Sequence, residues 1–229
     1  MQIKRIINKL VRIYKSIVFD IGGLYLKLIH KKGLVTDNQG KSYETILIGK
    51  QLWMAQNLAV SQFSNGDIIP FIDNDAAWQK AGKNGQPAWC FYKDNPESEN
   101  FFGKLYNWHA VSDVRSLAPE GWHISTDAEW NELITFLGGE EKAGCKMKCR
   151  KGWKNNGNGS NKSGFNALPG GYRDPAGWFG NGGFGRWWSS TEASEDKAWR
   201  FRLGFDNSTI NRFDGPKGYG FSIRCVKNK

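Results

Sequence analysis

The residues of this 229-residue chain that could do nucleophilic, redox or metal chemistry are few and poorly spaced for it. Cys145 and Cys149 stand as a CxxxC, which suits a metal only with partners from elsewhere, and His30, His109 and His123 show no paired-ligand spacing, which argues against zinc. Ser189-Ser190-Thr191-Glu192 brings hydroxyls and a carboxylate together, but such a run also suits turn hydrogen bonding. An enzyme needs a nucleophile beside a base, paired carboxylates or a metal constellation, and none is legible. The nearest oxygen cluster for calcium, Asp206, Asn207 and Asp214, falls in turns, where these residue types act as turn formers, so no cofactor is expected.

A second chemistry, recognition by rings and guanidinium groups, has more residues behind it. Trp178, Phe179, Phe184, Trp187 and Trp188 are strung through Gly177, Gly180, Gly182, Gly183 and Gly185 and read as rings carried on loops. Arginine and aromatic side chains give much contact area per ordered side chain. Core filling is the other role open to each ring. From Ala198 the chain alternates, so Trp199, Phe201 and Leu203 are expected inward and Arg200 and Arg202 on the opposite face. Ile210 reads as core, which sends Asn211 outward and leaves Arg212 between the core edge and solvent. The expected ligand-binding set is Arg173, Trp178, Phe179, Phe184, Arg186, Arg200, Arg202, Phe205, Asp206, Asn211, Arg212 and Asp214.

These side chains need a frame. Strands are expected at 198–204, 208–213 and 219–225, forming a meander. Tyr43 to Ile48 and Gln51 to Leu58 are further strand candidates, and a short helix is expected at Asp75 to Lys80. Thr126 and Glu129 make a capping box for a helix whose apolar stripe is Trp130, Leu133, Ile134 and Leu137, stopped by Gly138-Gly139. His123, just before that cap, is read as structural. Residues 151–163 read as an exposed loop.

The N-terminal stretch is different in kind. Ile3, Ile7, Leu10, Tyr14, Ile17, Ile21, Leu24 and Leu28 recur at spacings of 4-3-4-3-4-3-4, a heptad seam on a basic amphipathic helix. Its partner is a second copy of the chain, the rest of the fold, or an anionic membrane surface. Residues 1–33 carry a net charge of +7, leaving the remainder at only +3, too even a balance for nucleic-acid binding. No secretory signal is legible there.

Several long motifs carry a resemblance, in order along the chain: VTDNQGKSYETILIGKQLWMAQNL (35–58), GKLYNWHAV (103–111), LAPEGWHISTDAEWNEL (117–133), GFNALPGGYR (164–173), WWSSTE (187–192) and the closing YGFSIRCV (219–226). Over residues 34–229 the sequence resembles the Fibrobacter succinogenes major paralogous domain. The resemblance implies an α+β fold of C-type-lectin-like kind, similar to formylglycine-generating enzymes and to the variable proteins of diversity-generating retroelements. It further implies ligand-binding residues within 172–226, a protein or glycan ligand, and a cell-surface or virion location. It places Cys90 and Cys225 near each other. The alternatives it leaves are a formylglycine-generating oxidoreductase, for which Cys145 and Cys149 lack one intervening residue and a matching motif, and a structural part of a surface or virion assembly.

Overall fold

The computed structural model describes residues 33–180 and 182–229, with Asp94 and Phe179 as backbone only; the heptad seam of residues 3–28 lies outside the described residues. In chain order the strands are β1 (Gly33–Thr36), β2 (Ser42–Ile48), β3 (Gln51–Met54), β4 (Trp89–Cys90), β5 (Leu105–Tyr106), β6 (Trp122–Ile124), β7 (Tyr172–Asp174), β8 (Gly177–Phe179), β9 (Phe184–Glu192), β10 (Lys197–Gly204), β11 (Ile210–Pro216) and β12 (Cys225–Lys227). They build a five-stranded sheet in the order β1-β2-β3-β12-β6, a three-stranded sheet β11-β10-β9, and two small hairpins, β4-β5 and β7-β8. Every strand pairing in these sheets is antiparallel. The longer helices are Asp75–Lys83, Asp127–Phe136 and Glu140–Met147, so the chain mixes helix with short antiparallel sheets.

The capping box forms as its spacing predicts: the Thr126 side chain accepts from the Glu129 N–H, and the Glu129 carboxylate accepts from the Thr126 N–H at 2.9 Å. That start aims Trp130, Leu133 and Ile134 into the core. The Trp130 ring stacks on Phe201 at 4.7 Å and meets Trp53 edge-on at 5.2 Å, tying the helix to both larger sheets.

The meander exists, but its third strand is β9 and not the C-terminal stretch. Gly185, expected to hold the chain in a loop, instead lets β9 pass close to its neighbours: a side chain there would lie 2.7 Å from the Leu168 carbonyl oxygen. Residues 219–222 run beside other elements through single bridges, Phe221 to Tyr106, Gly220 to Arg173 and Ser222 to Trp187. Cys225 to Lys227 then closes the five-stranded sheet between β3 and β6. The loop expected at 151–163 anchors a buried Trp153, whose indole N–H donates to the Ala167 carbonyl at 3.1 Å. Cys90 and Cys225 are free thiols in different core clusters, so the proximity implied by the resemblance corresponds to no bond here.

Candidate functional site

Both faces of the β9-β10-β11 meander are put to use. One face presents Trp187, Phe201, Leu203 and Ile210 to the core beneath the Asp127–Phe136 helix. Period-2 alternation turns Phe184, Arg186 and Trp188 of β9, Arg200 and Arg202 of β10, and Asn211 and Phe213 of β11 to the other face. At one end of this face Trp188 is buried against Phe221, ring centroids 4.3 Å apart. Further along, the register sets Arg202 opposite Arg186 on one side and Asn211 on the other, with Arg200 opposite Phe213.

Three guanidinium groups therefore crowd together, each laid over rings. Arg186 Cζ lies 3.4 Å from the centroid of Tyr172, Arg200 Cζ 5.1 Å from Phe213 and 5.4 Å from Phe221, and Arg202 Cζ 5.0 Å from Phe184. Among the described residues none of the three forms an ion pair with a carboxylate. Arg200 Nε donates to the Asp214 backbone carbonyl at 3.1 Å. Arg186 Nε, Arg200 Nη1 and Arg202 Nε are buried without an acceptor. Burial, followed by the charges of Arg186 and Arg202, pushes Arg200 down to about 10, and burial likewise lowers Arg186. At about 10 Arg200 remains cationic at neutral pH, and each of the three is half-buried, which leaves part of it accessible.

Other expected members of the set sit elsewhere. Arg173, expected at the surface, is fully buried: it donates to the Ile72 and Asp73 carbonyls and to Asp75 at 2.7 Å, sandwiched between the rings of Trp78 and Trp178. Trp178 is half-buried and packs against the small cluster around Trp78. Phe179 lies on β8, and its side chain is outside the described residues. Arg212 points to the opposite face from Arg200, where it grips Asp127 at 2.6 Å and covers the Trp199 ring at 3.2 Å. Trp199 is accordingly half-buried under a guanidinium and not the core residue its alternation predicts; the pairing with β9 slips between Ala198 and Arg200 at this point. Asp214 pairs with Lys197 at 3.4 Å. Phe205 meets Phe184 edge-on at 6.3 Å, at the patch margin. Asp206 is exposed in the turn after β10 and accepts from the Asn207 amide at 3.2 Å. Asp206 and Asn207 thus lie in one turn and Asp214 on a strand, and no group of three or more His, Cys, Asp or Glu suited to a metal occurs among the described residues.

Sequence reasoning missed Tyr172, Phe213, Tyr219 and Phe221. Phe213 was open to extension of the Asn211 alternation; the others arrive from separate segments, and no local pattern shows that they converge. Tyr219 also lines a cleft of about 780 Å³ whose walls include Lys83, His109, Asp196 and Lys217. Its ring lies 6.1 Å from Phe221, which links the cleft to the guanidinium row.

The thiols offer little. Cys149 donates to the Lys151 carbonyl at 2.6 Å, and burial pushes its thiol up, away from the reactive thiolate. His123 bridges Asn228 and Glu129, at 2.7 and 2.8 Å, in a structural role beside the helix cap.

The family model described as Fibrobacter succinogenes major domain matches residues 46–227. No curated protein and no solved structure matches the chain.

Proposed function

Because the chain belongs to the Fibrobacter succinogenes major domain family, and because one face of its meander gathers cations and rings, we propose that it is a ligand-binding display protein of C-type-lectin-like fold. It recognises a protein or glycan surface in the manner of a retroelement variable protein. The observation that carries this reading is the row Arg186, Arg200 and Arg202 between ring faces, with no carboxylate paired to it among the described residues. Arginine and aromatic side chains on a rigid sheet supply binding hot spots at small entropic cost. The strand register holds them there without a flexible loop, which favours pre-organised binding. The raised Cys149 thiol favours this reading over an oxidoreductase of the formylglycine-generating kind.

The full chain is applied to protein and glycan arrays beside an Arg200→Ala/Arg202→Ala variant. Binding that the double variant loses is the expected result; a wild-type profile indistinguishable from that of the variant overturns the reading. The retroelement origin is tested separately in flanking DNA, where a near-copy of the segment encoding residues 172–226, differing only at template adenines, is expected. Absence of that copy removes the diversification and leaves the binding role standing.

A further inference from the structure

Four of the described arginines are held by carboxylates or by buried acceptors. Arg115 pairs with Asp67 and Asp113, Arg173 with Asp75, and Arg212 with Asp127, while Arg224 is surrounded by carbonyls and Asn57. Arg186, Arg200 and Arg202 share a neighbourhood and, among the described residues, have no such carboxylate; Arg186 Nε, Arg200 Nη1 and Arg202 Nε are buried without an acceptor. An anion at the accessible part of the row would meet guanidinium groups held in place by the rings beside them, where a carboxylate accepts two parallel N–H bonds from one guanidinium.

The surroundings restrict what carries that anion. Asp214 turns to the opposite face with Trp199 and Arg212, and the patch is bounded by two exposed acids, Asp206 at the turn after β10 and Asp196 in the turn between β9 and β10. A long polyanion such as a nucleic-acid backbone would run into these charges, whereas a ligand with one isolated anionic group would not. Beside the guanidinium row the Phe213 ring is 40 % exposed, a flat apolar surface. A pyranose presents an apolar C–H face with a charged substituent at its edge, which matches both features; an acidic peptide side chain would use the charge and leave the ring uncovered.

We propose that Arg186, Arg200 and Arg202 bind the carboxylate of an acidic sugar whose ring rests on Phe213. This rests on the reading of the face as a ligand-binding surface.

The test is titration calorimetry of the full chain with methyl galacturonoside, which carries a single carboxylate, its methyl ester and a short oligothymidylate. The uronoside is expected to bind, the neutral ester and the oligothymidylate to bind at least about tenfold more weakly, and Arg200→Ala or Arg202→Ala to lower the uronate affinity by about tenfold or more. Phe213→Ala, at a position that is 40 % exposed, is expected to weaken uronate binding as well. Equal binding of acid and ester overturns the proposal, and so does oligothymidylate binding as tight as that of the uronate. If the arrays return a ligand that depends on Arg200 and Arg202 while the uronate does not bind, the acidic-sugar assignment fails and the display reading survives. If no array ligand depends on them, that reading fails.

Discussion

Replacing Arg200 and replacing its neighbour Phe201 with alanine are expected to act on different quantities. Phe201 is fully buried and stacked on Trp130, so Phe201→Ala opens a core cavity and should lower stability by roughly 3 to 5 kcal/mol in urea titrations. Arg200→Ala removes one of three crowded cations and should change stability by about 1 kcal/mol or less, because lost packing of the stem is offset by relief of like-charge repulsion. Trp199→Ala should fall below Phe201→Ala, since the ring lies half-buried beneath Arg212. Alternation along β10 made the Arg200 and Phe201 contrast legible in the sequence. Arg173 was not legible, because its partner Asp75 stands 98 positions earlier and only the fold brings them together. His109 adds a pH dependence. Burial lowers its pKa while Nε2 meets the Gly82 carbonyl at 3.0 Å. The unfolded chain therefore takes up a proton first as pH falls below about 6.5, and stability should decline from there down to the lower folded-state value. His109→Gln should flatten the difference in urea midpoint between pH 7.5 and 5.5.

At the level of elements, the helix Asp127–Phe136 was readable because its start signal is local, four residues of capping box followed by an apolar stripe. The helix Glu140–Met147 was not, since it begins at Gly139 without a side-chain cap and carries Gly144 in its middle. The structure supplies the reason for that glycine. A methyl group at 144 would contact the Ser208 carbonyl oxygen and come within 2.9 Å of the Leu203 side chain, so the helix presses directly on the β10-β11 turn. Two effects of Gly144→Ala oppose each other. Helix propensity favours alanine by up to about 1 kcal/mol, whereas displacing a backbone carbonyl in a packed contact disfavours it by about 1 to 3 kcal/mol. The contact should win, because a backbone atom cannot rotate away as a side chain can. A lowered melting temperature is expected, and an unchanged or raised one would show that the turn yields. β9 was misread for a related reason: Gly185, following the glycines at 180, 182 and 183, resembles loop punctuation, and its use for close approach is visible only once the neighbouring segments are in place.

Across the molecule, segments far apart in sequence converge on one polar centre that no sequence pattern announces. Arg224 is almost entirely buried, and burial pushes it down to about 9, so it carries its charge at neutral pH. It donates to Asn57 Oδ1 at 2.7 Å, to the Met54 and Phe165 carbonyls at 2.9 and 2.8 Å, and to the Asn166 carbonyl at 3.2 Å. Asn57 Oδ1 accepts in addition from the Trp187 indole at 2.9 Å, and Asn57 Nδ2 donates to Phe102 and Ser222. The five-stranded sheet, the 164–167 segment, the meander and the C-terminal segment thus meet at two side chains. Buried polar groups of this kind are favourable only when every member is satisfied. Asn57→Ala leaves a buried guanidinium and an indole short of an acceptor and should lower stability by roughly 3 to 5 kcal/mol. Arg224→Met, close in length and apolar, should lower it by a comparable amount, because three backbone carbonyls lose their donor. The informative quantity is the double variant. Since each single change strands the partner of the other, the Asn57→Ala/Arg224→Met protein should be destabilised by clearly less than the sum of the two single losses, a coupling of about 1 to 3 kcal/mol by urea denaturation. Simple additivity would mean that water or the neighbouring carbonyls satisfy Arg224 without Asn57, and that the segments are held together by apolar packing alone.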